Sequence, residues 1–229
     1  MPNRFQREGR VGFLDSPDRI RPAEPDDSAF LAEAILNASR SHFDRGLWDL
    51  VFEGSDEERL SFLEILTLTD ARSFCHFSNF LVVDGVDAPA ATLSAFDPGE
   101  PGMMSPGHLI ASAYEEIGAD ESELLDAYRR LESYQPGVPE QKHGVWTIEW
   151  VWTPPPMRRR GLQAALMERV LAKGRERGYR RAQVTTFIGN TAAIRAYEQS
   201  GFRVGEEMRD AGFQRLMGAP GLVRYERDL

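Results

Sequence analysis

The positions of apolar side chains follow two periods along the chain, and each period predicts one kind of element. Runs rich in Val, Ile, Thr and aromatic residues predict strands, whereas apolar residues three and four apart predict helices. The predicted strands are residues 20–23, 80–83, 89–96, 145–153, 182–188, 202–208 and 222–227. The predicted helices are residues 30–38, 59–69, 120–134, 161–177 and 191–199. This order indicates an α/β domain with a mixed central sheet.

Residues that cap or end elements support this division. The side-chain oxygens of residues 26–28 are expected to cap the first helix. Asp120, with Glu123 three residues later, forms a capping-box pair at the start of another. The Asp-Gly pair at residues 84–85 is typical of a hairpin turn, and the three prolines at residues 154–156 end a strand because proline has no backbone N–H.

The chain divides into an aperiodic arm over residues 1–19 and one domain over residues 20–229. Within the domain, about residues 97–144 form an insertion between the third and fourth strands, and it contains the helix predicted over residues 120–134. The first 14 residues lack the apolar core of a signal peptide, and no apolar run approaches the roughly 18 residues of a membrane helix. A cytoplasmic protein without a membrane partner is therefore expected.

Composition narrows the function classes. Of 229 residues, 41% are hydrophobic and 28% are charged, which is typical of a folded soluble protein. Cys75 is the single cysteine, so an intramolecular disulfide and a cysteine-clustered metal site are excluded, and we expect no metal. The formal net charge of −9 argues against a nucleic-acid partner.

The charge is unevenly distributed between the two parts of the chain. Residues 1–150 contain 12 basic and 28 acidic side chains, a net −16, whereas residues 151–229 contain 15 basic and 8 acidic side chains, a net +7. This asymmetry predicts that the two parts face ligands of opposite charge. The plainer alternative for the acidic part is a solvated surface.

A basic turn containing one glycine follows the strand that ends at residue 153. Its residues are Arg158, Arg159, Arg160, Gly161 and Leu162. The free N–H groups and the positive dipole end of a helix bind anions, and the three guanidinium groups add positive charge. The chain has neither a glycine-rich run ending in Lys-Ser/Thr nor a Gly-x-Gly-x-x-Gly turn, which argues against nucleotide-triphosphate and dinucleotide sites. Alone, the turn is equally compatible with a solvated helix start.

A second motif spans residues 190–202. Asn190 is placed to cap a helix, Ala193 and Tyr197 share one face of it, and Gly201 is placed to end it. Phe202 then anchors the next strand. Each of these residues alone has an ordinary structural explanation.

The two motifs lie about 30 residues apart in the sequence. Taken together, they resemble the motifs of the GCN5-related N-acetyltransferase (GNAT) superfamily. In that family an Arg-x-x-Gly-x-Gly/Ala turn holds the pyrophosphate of acetyl-coenzyme A (acetyl-CoA), and an Asn-x-x-Ala-x-x-x-Tyr-x-x-x-Gly-Phe helix binds its pantetheine arm. The resemblance is most specific over residues 146–202 and extends, by element order, over about residues 20–229. It implies the GNAT fold, a mixed central sheet with splayed strands flanked by helices.

The resemblance implies acetyl-CoA as a co-substrate. The cofactor-binding residues that it implies are Val151, Trp152, Thr153, Arg158, Arg159, Arg160, Gly161, Leu162, Gln163, Ala164, Asn190, Ala193 and Tyr197. A backbone N–H within residues 151–153 would polarise the thioester oxygen. Gln163 departs from the pattern, because the family usually has Gly or Ala there, so its side chain either crowds the phosphate or points away.

Two side chains are candidates for proton transfer. The resemblance implies that Tyr197 protonates the departing thiolate; a core tyrosine is the alternative. Glu149 is the candidate base, since strand alternation predicts that it shares one face with Val151 and Thr153. Nearby tryptophans would raise its pKa by excluding water.

Other assignments of the base remain open at this stage. Glu149 could instead be a solvated strand residue or bind the acceptor ammonium. His108 and His143 are the other candidate bases, although a surface loop position is commoner for such residues.

Two groups of residues border the predicted acceptor side. Acidic residues of the insertion would attract a cationic amine or form the solvated face of a helix: Glu115, Glu116, Asp120, Glu121, Glu123 and Asp126. Aromatic residues would form an acceptor wall or belong to the core: His42, Phe43, Trp48, Phe52, Phe74, His76 and Phe77.

The resemblance implies an N-acetyltransferase that acts directly on a primary amine of a small molecule, amino acid or peptide. The charge asymmetry favours a cationic acceptor. The alternative is a non-catalytic acyl-CoA sensor, and a nucleic-acid binder is disfavoured. Members of the family are frequently dimers, so a homodimer is compatible with the sequence.

Overall fold

The computed structural model describes residues 19–229, so the predicted arm lies outside the described residues except for Arg19. The strands are β1 (Ile20–Pro22), β2 (Phe80–Val83), β3 (Ala91–Phe96), β4 (Trp146–Trp152), β5 (Arg181–Phe187), β6 (Arg203–Arg209) and β7 (Gly221–Asp228). The helices are α1 (Ser28–Arg40), α2 (Leu47–Val51), α3 (Asp56–Thr67), α4 (Pro106–Glu116), α5 (Glu121–Glu132), α6 (Leu162–Glu176), α7 (Thr191–Gln199) and α8 (Ala211–Met217). Every predicted strand and helix is present, with ends that differ by at most three residues.

The strands form one open, mixed sheet in the order β1-β2-β3-β4-β5-β7-β6. Neighbouring strands are antiparallel except β4 and β5, which pair in parallel through Trp146–Ile148 and Ala182–Val184. β2 and β3 form a hairpin as expected, but residues 84–90 connect them and Gly85 does not have the positive φ of a tight Asp-Gly turn, so the predicted turn is wrong. The predicted mixed sheet is confirmed.

Helices cover both faces of the sheet and bury two main cores. The α6 core includes Trp146, Ile148, Leu166, Val170, Val184, Tyr197 and Phe202. The α1 core includes Leu31, Ile35, Trp48, Phe62, Leu63, Cys75, Phe80 and Leu109. The two helices that carry the predicted cofactor motifs, α6 and α7, therefore pack on one face, and the insertion helices pack on the other.

The pattern did not predict three of the helices. The first, α2, has five residues, which is too short to show a helical period. The second, α4, begins in a segment dense in proline and glycine, but Ser105 accepts a hydrogen bond from the His108 N–H and Pro106 occupies the first helical position. The third, α8, is a seven-residue helix capped by Asp210. No helix among residues 19–229 is long and apolar enough to cross a membrane.

One of the two capping predictions is confirmed and the other is wrong. Asp120 and Glu123 form the expected capping box of α5. Asp27 occupies the position before α1, but its carboxylate accepts from the Arg21 guanidinium and from the Glu24 N–H, not from the amides of α1. The charged partner on β1 competes successfully with the helix because an ion-paired hydrogen bond is stronger than a neutral one.

The insertion between β3 and β4 packs on the end of α2. The Tyr114 hydroxyl of α4 donates to the Val51 carbonyl over 2.5 Å. The Arg130 guanidinium of α5 donates to the Leu50 and Val51 carbonyls over 2.6 and 3.4 Å. These carbonyls lie at a helix C-terminus, where no intrahelical donor is available, so the insertion supplies their partners.

Candidate active site at the separation of two strands

β4 and β5 separate halfway along the sheet. Their parallel pairing ends at Ile148 and Val184, although β4 continues to Trp152 and β5 to Phe187. Beyond this point the facing edges of both strands have no ladder partner among the described residues. The gap therefore presents backbone donors and acceptors to a ligand, and Glu149 is the first residue of β4 at its edge.

A bulge in β4 gives the gap its local shape. Ser94 of β3 pairs with Glu149 and Thr92 pairs with Trp152, so two residues of β4 lie opposite one of β3. Trp150 has a φ of 52°, a left-handed conformation that costs a non-glycine residue about 1–2 kcal/mol. Its indole N–H donates to the Phe74 carbonyl over 3.1 Å, which stabilises this conformation.

The bulge makes one sequence prediction wrong. Alternation placed Glu149, Val151 and Thr153 on one face of the strand. Val151 packs against the α6 core and the Thr153 hydroxyl bonds to Gln163 of α6, whereas Glu149 faces Cys75 and Tyr134 on the opposite side. An extra residue in a strand reverses the facing of everything that follows it, and the sequence pattern did not indicate the extra residue.

Glu149 is half-buried in an apolar environment. Burial raises its pKa to about 7, against a smaller lowering by the hydrogen bond that the Gln141 side-chain amide donates to its carboxylate. The expectation that surrounding apolar groups raise the pKa of this carboxyl is consistent with this position. A carboxyl that titrates near pH 7 can both accept and release a proton at neutral pH.

The basic turn before α6 is exposed and contains two residues in the left-handed conformation. Arg159 and Gly161 both have positive φ, 61° and 78°. The Arg158 guanidinium donates to the Thr153 carbonyl over 3.1 Å, and Arg160 donates to the Pro156 carbonyl over 3.2 Å. Each guanidinium keeps further donors free, because one hydrogen bond uses only one of its five N–H groups. A Cβ on Gly161 would meet nothing within 4 Å, so the space above the turn is open.

The side chain of Gln163 points away from the turn and into the sheet. Its amide nitrogen lies 2.6 Å from the Trp152 carbonyl, 3.2 Å from the Thr92 carbonyl and 2.9 Å from the Thr153 hydroxyl. The sequence left open whether this side chain crowds the phosphate or points away. In the structure it points away, so the N-terminus of α6 stays open. Leu162 is buried in the α6 core and Ala164 is exposed.

The second motif forms α7 as predicted. The Asn190 side chain accepts from the Ala193 N–H, and its amide also donates to Ser41 at the end of α1 over 2.7 Å. Gly201 has a φ of 83° and ends the helix. Tyr197 is 6% exposed, and burial raises its pKa well above the ordinary phenol value. Its hydroxyl therefore stays protonated at neutral pH.

The two candidate proton-transfer residues lie on opposite faces of the sheet. Tyr197 packs in the α6 core with its ring near those of Phe202 and Tyr225, and Glu149 faces Cys75 and Tyr134 on the face covered by the insertion. The two side chains therefore face different cores of the domain.

The residues expected to border an acceptor site separate by burial. The six acidic residues of the insertion are all exposed, and Asp120 and Glu123 are engaged in capping. Among the aromatic residues, Trp48 is fully buried and stacks 6.0 Å from Phe74, whereas His42 is exposed. Most of the aromatic set therefore contributes to the core.

The alternative bases lie on the surface. His108 and His143 are both exposed, and the His108 ring bonds to Ser105 at the start of α4. Among residues 19–229, no group of three or more His, Cys, Asp or Glu side chains is arranged to hold a metal ion. Gln141 and Tyr134, which contact or face Glu149, were missed by the sequence reasoning because no motif marks them.

Comparison with known proteins supports the motif assignment. Residues 107–202 match the model of the acetyltransferase (GNAT) family. No curated protein matches the chain.

Several solved structures share the fold at low sequence identity. One described as an acetyltransferase has a TM-score of 0.64 and 15% identity, and the match covers 91% of this chain and 98% of that one. An N-acetyltransferase from Staphylococcus aureus Mu50 has a TM-score of 0.61 and 17% identity, with 91% and 99% covered. A putative acetyltransferase from Salmonella typhimurium with its cofactor acetyl-CoA has a TM-score of 0.53 and 19% identity, with 92% of each chain covered.

The chain thus combines a family match over residues 107–202 with three structural features. These are the seven-stranded open sheet, the separation of β4 from β5 and the turn before α6. These findings confirm the predicted resemblance of the chain to the GCN5-related N-acetyltransferase superfamily.

Proposed function

We propose that this protein transfers an acetyl group from acetyl-CoA to a primary amine of a small molecule, amino acid or peptide. The observation that carries the proposal is the position of Glu149. It is a half-buried carboxyl with a pKa of about 7 at the edge of the gap between β4 and β5. The family match supports acetyl transfer in general, and the acceptor class and the residue roles are inferred from the site.

The described residues suit acetyl-CoA as the co-substrate. The first-turn amides of α6 and the exposed guanidinium groups of residues 158–160 would hold its pyrophosphate. From Glu149 onward β4 has no ladder partner among the described residues on its β5 side, and backbone groups of residues 151–153 other than the Trp152 and Thr153 carbonyls would bond there to the pantetheine amides. Asn190 and Ala193 would line the other side of the arm. When bound, the co-substrate supplies the thioester carbonyl that the amine attacks.

Two separate proton transfers would take place, one on each face of the sheet. Glu149 accepts the proton that the acceptor ammonium loses, directly or through a water molecule. A backbone N–H of residues 151–153 stabilises the oxyanion, and the buried Tyr197 hydroxyl donates its proton to the thiolate.

A cationic acceptor is favoured by the charge around the Glu149 face. The chain over residues 1–150 carries a net −16, and the exposed acidic residues of the insertion lie on the same face as Glu149. The basic turn belongs to the opposite face, where an anionic co-substrate would bind. A diamine or basic amino acid is therefore expected to react faster than an amine bearing a carboxylate near the reacting nitrogen.

Release of free thiol from acetyl-CoA over a panel of amines tests the proposal. The panel pairs each cationic amine with a neutral and an acidic analogue of the same length. We expect turnover with at least one cationic amine and lower kcat/KM for its acidic analogue. Binding of CoA without turnover of any amine would instead indicate the sensor, and absence of CoA binding would remove both functions.

A further inference from the structure

The last stretch of the insertion, residues 140–142, reaches Glu149. The side-chain amide nitrogen of Gln141 donates a hydrogen bond to the Glu149 carboxylate. Gln141 belongs to the segment between α5 and β4 and is half-buried beside the strand. The insertion therefore contributes a side chain to the site as well as packing on α2.

Both residues that flank Gln141 are fixed to the sheet. Arg224, which is 3% exposed on β7, donates to the Glu140 carbonyl. The buried Gln183 of β5 accepts from the Lys142 N–H over 3.3 Å and donates to the Lys142 carbonyl over 3.1 Å. Because these anchors hold the backbone on either side, the Gln141 side chain has a defined origin from which to reach Glu149.

A network of ion pairs strengthens this anchoring. The Lys142 ammonium lies 2.7 Å from the Glu226 carboxylate, and the Arg224 guanidinium lies 3.0 Å from Glu226 and 2.8 Å from Glu206. The network joins residue 142 to β6 and β7 with two cations and two anions. Both cations are thus engaged with carboxylates of the sheet, and Gln141 contacts Glu149 as a neutral donor.

The other titratable groups that Glu149 faces are the Cys75 thiol and the Tyr134 hydroxyl. Burial and the Glu149 charge raise the pKa of both groups, so both remain neutral at pH 7. Burial alone would favour the protonated form of Glu149, and a hydrogen bond donated to the carboxylate favours the ionised form. The hydrogen bond from Gln141 therefore lowers the pKa of Glu149, against the effect of burial.

Resting on the proposed function, we propose that Gln141 is a positioning residue for acetyl transfer, whose amide holds the Glu149 carboxylate in one orientation. With one carboxylate oxygen occupied by the amide, the other is directed to the acceptor. The proton lost by the ammonium nitrogen then passes to that free oxygen, and the nitrogen lone pair attacks the thioester carbon. The insertion adds this positioning residue to the fold.

The test compares Gln141→Met with wild type, because methionine keeps the side-chain length and removes the donor. We expect the acidic limb of kcat/KM to move to higher pH by about 1 unit and kcat at the plateau to fall about tenfold, with KM for acetyl-CoA unchanged. Gln141→Asn, which keeps an amide but is one methylene shorter, is expected to show the same shift. Gln135→Met is the control, since Gln135 is an exposed glutamine of the same insertion.

A second measurement does not depend on turnover. Carboxyl carbons of labelled glutamate are followed by NMR over pH, and Glu149→Gln assigns the Glu149 signal. A higher titration midpoint in Gln141→Met supports the inference even if no amine reacts, a result that would count against the proposed function alone. An unchanged midpoint in a folded Gln141→Met protein, or an equal shift in Gln135→Met, overturns the inference.

Discussion

The side-chain amide of Gln163 donates a hydrogen bond to the backbone oxygen of Trp152 across 2.6 Å. The same nitrogen lies near the Thr92 carbonyl and the Thr153 hydroxyl, so the first turn of α6 is joined to the ends of β3 and β4. The basic turn and the splayed strand thus hold one another in place. The Gln163 carbonyl oxygen is buried without a partner among the described residues, which offsets part of the gain.

Gln163→Leu is expected to lower the free energy of unfolding by about 1 kcal/mol, because the Trp152 and Thr92 carbonyls lose their donor. CoA affinity should fall as well, since the turn is no longer tied to the strand. Urea unfolding and calorimetric titration with CoA measure the two effects. Gln214→Leu on the exposed face of α8 is the control. Equal unfolding free energies and equal CoA affinities in the two variants would contradict the role of Gln163 in joining the turn to the strands.

Arg158→Ala is expected to raise the Kd for CoA about five- to tenfold, because a charge-assisted contact to phosphate is lost from an exposed turn. The loss should shrink as ionic strength rises, since exposed charges are screened. Arg175→Ala is the matched control, because Arg175 is exposed in the last turn of the same helix. Equal Kd values for Arg158→Ala and wild type would argue against a phosphate at this turn.

The order of strands and helices along the chain and the local structure of the two motifs could be predicted because both depend on local patterns. Apolar periods identify strands such as β4, and a cap, a spaced tyrosine and a terminal glycine identify α7. The two shortest helices, α2 and α8, carry too few residues to show a period. The signals that would have identified α4 are Ser105 and Pro106 at its start, followed by apolar residues at helical spacing.

The part of the site that could not be predicted depends on contacts between distant residues. The bulge is stabilised by a bond from Trp150 to Phe74, 76 positions away, so no local pattern in β4 indicates it. The contact between Gln141 and Glu149 exists because Arg224 and Gln183 hold the intervening segment on the sheet. Such contacts follow from the assembled fold, which is why the prediction that Glu149, Val151 and Thr153 share one face of β4 is wrong.

Tyr197→Phe is expected to lower kcat about a hundredfold while leaving KM for acetyl-CoA nearly unchanged, because it removes only the proton donor. Since burial raises the Tyr197 pKa, wild type should show no falling limb from this group below about pH 10. Tyr225→Phe is the control, as its buried ring lies 6.3 Å from that of Tyr197. Full activity of Tyr197→Phe would show that the hydroxyl takes no part in proton transfer and that the ring serves only in packing.

Glu149→Gln is expected to lower kcat/KM at pH 8 about a hundredfold or more, because the amide cannot accept the proton. In wild type, kcat/KM should fall tenfold per pH unit below about pH 7, where the carboxyl becomes protonated. The variant should lose this limb. Initial rates of thiol release from pH 5 to 9 measure both, and a limb retained in Glu149→Gln would transfer the role of base to another group.

The same substitution is expected to stabilise the fold at high pH. The pKa of Glu149 is raised in the folded state, so the carboxyl's contribution to stability is greatest below its unfolded pKa and is lost as pH rises through about 7. Glu149→Gln removes the buried charge. We expect its free energy of unfolding to exceed that of wild type by about 1–3 kcal/mol at pH 8 and by nearly nothing at pH 4. Glu168→Gln on the exposed side of α6 should change little at either pH. Urea unfolding at both pH values measures these differences. If Glu149→Gln is no more stable than wild type at pH 8, the Glu149 carboxylate is well solvated. That result would remove the physical basis for its role as a base.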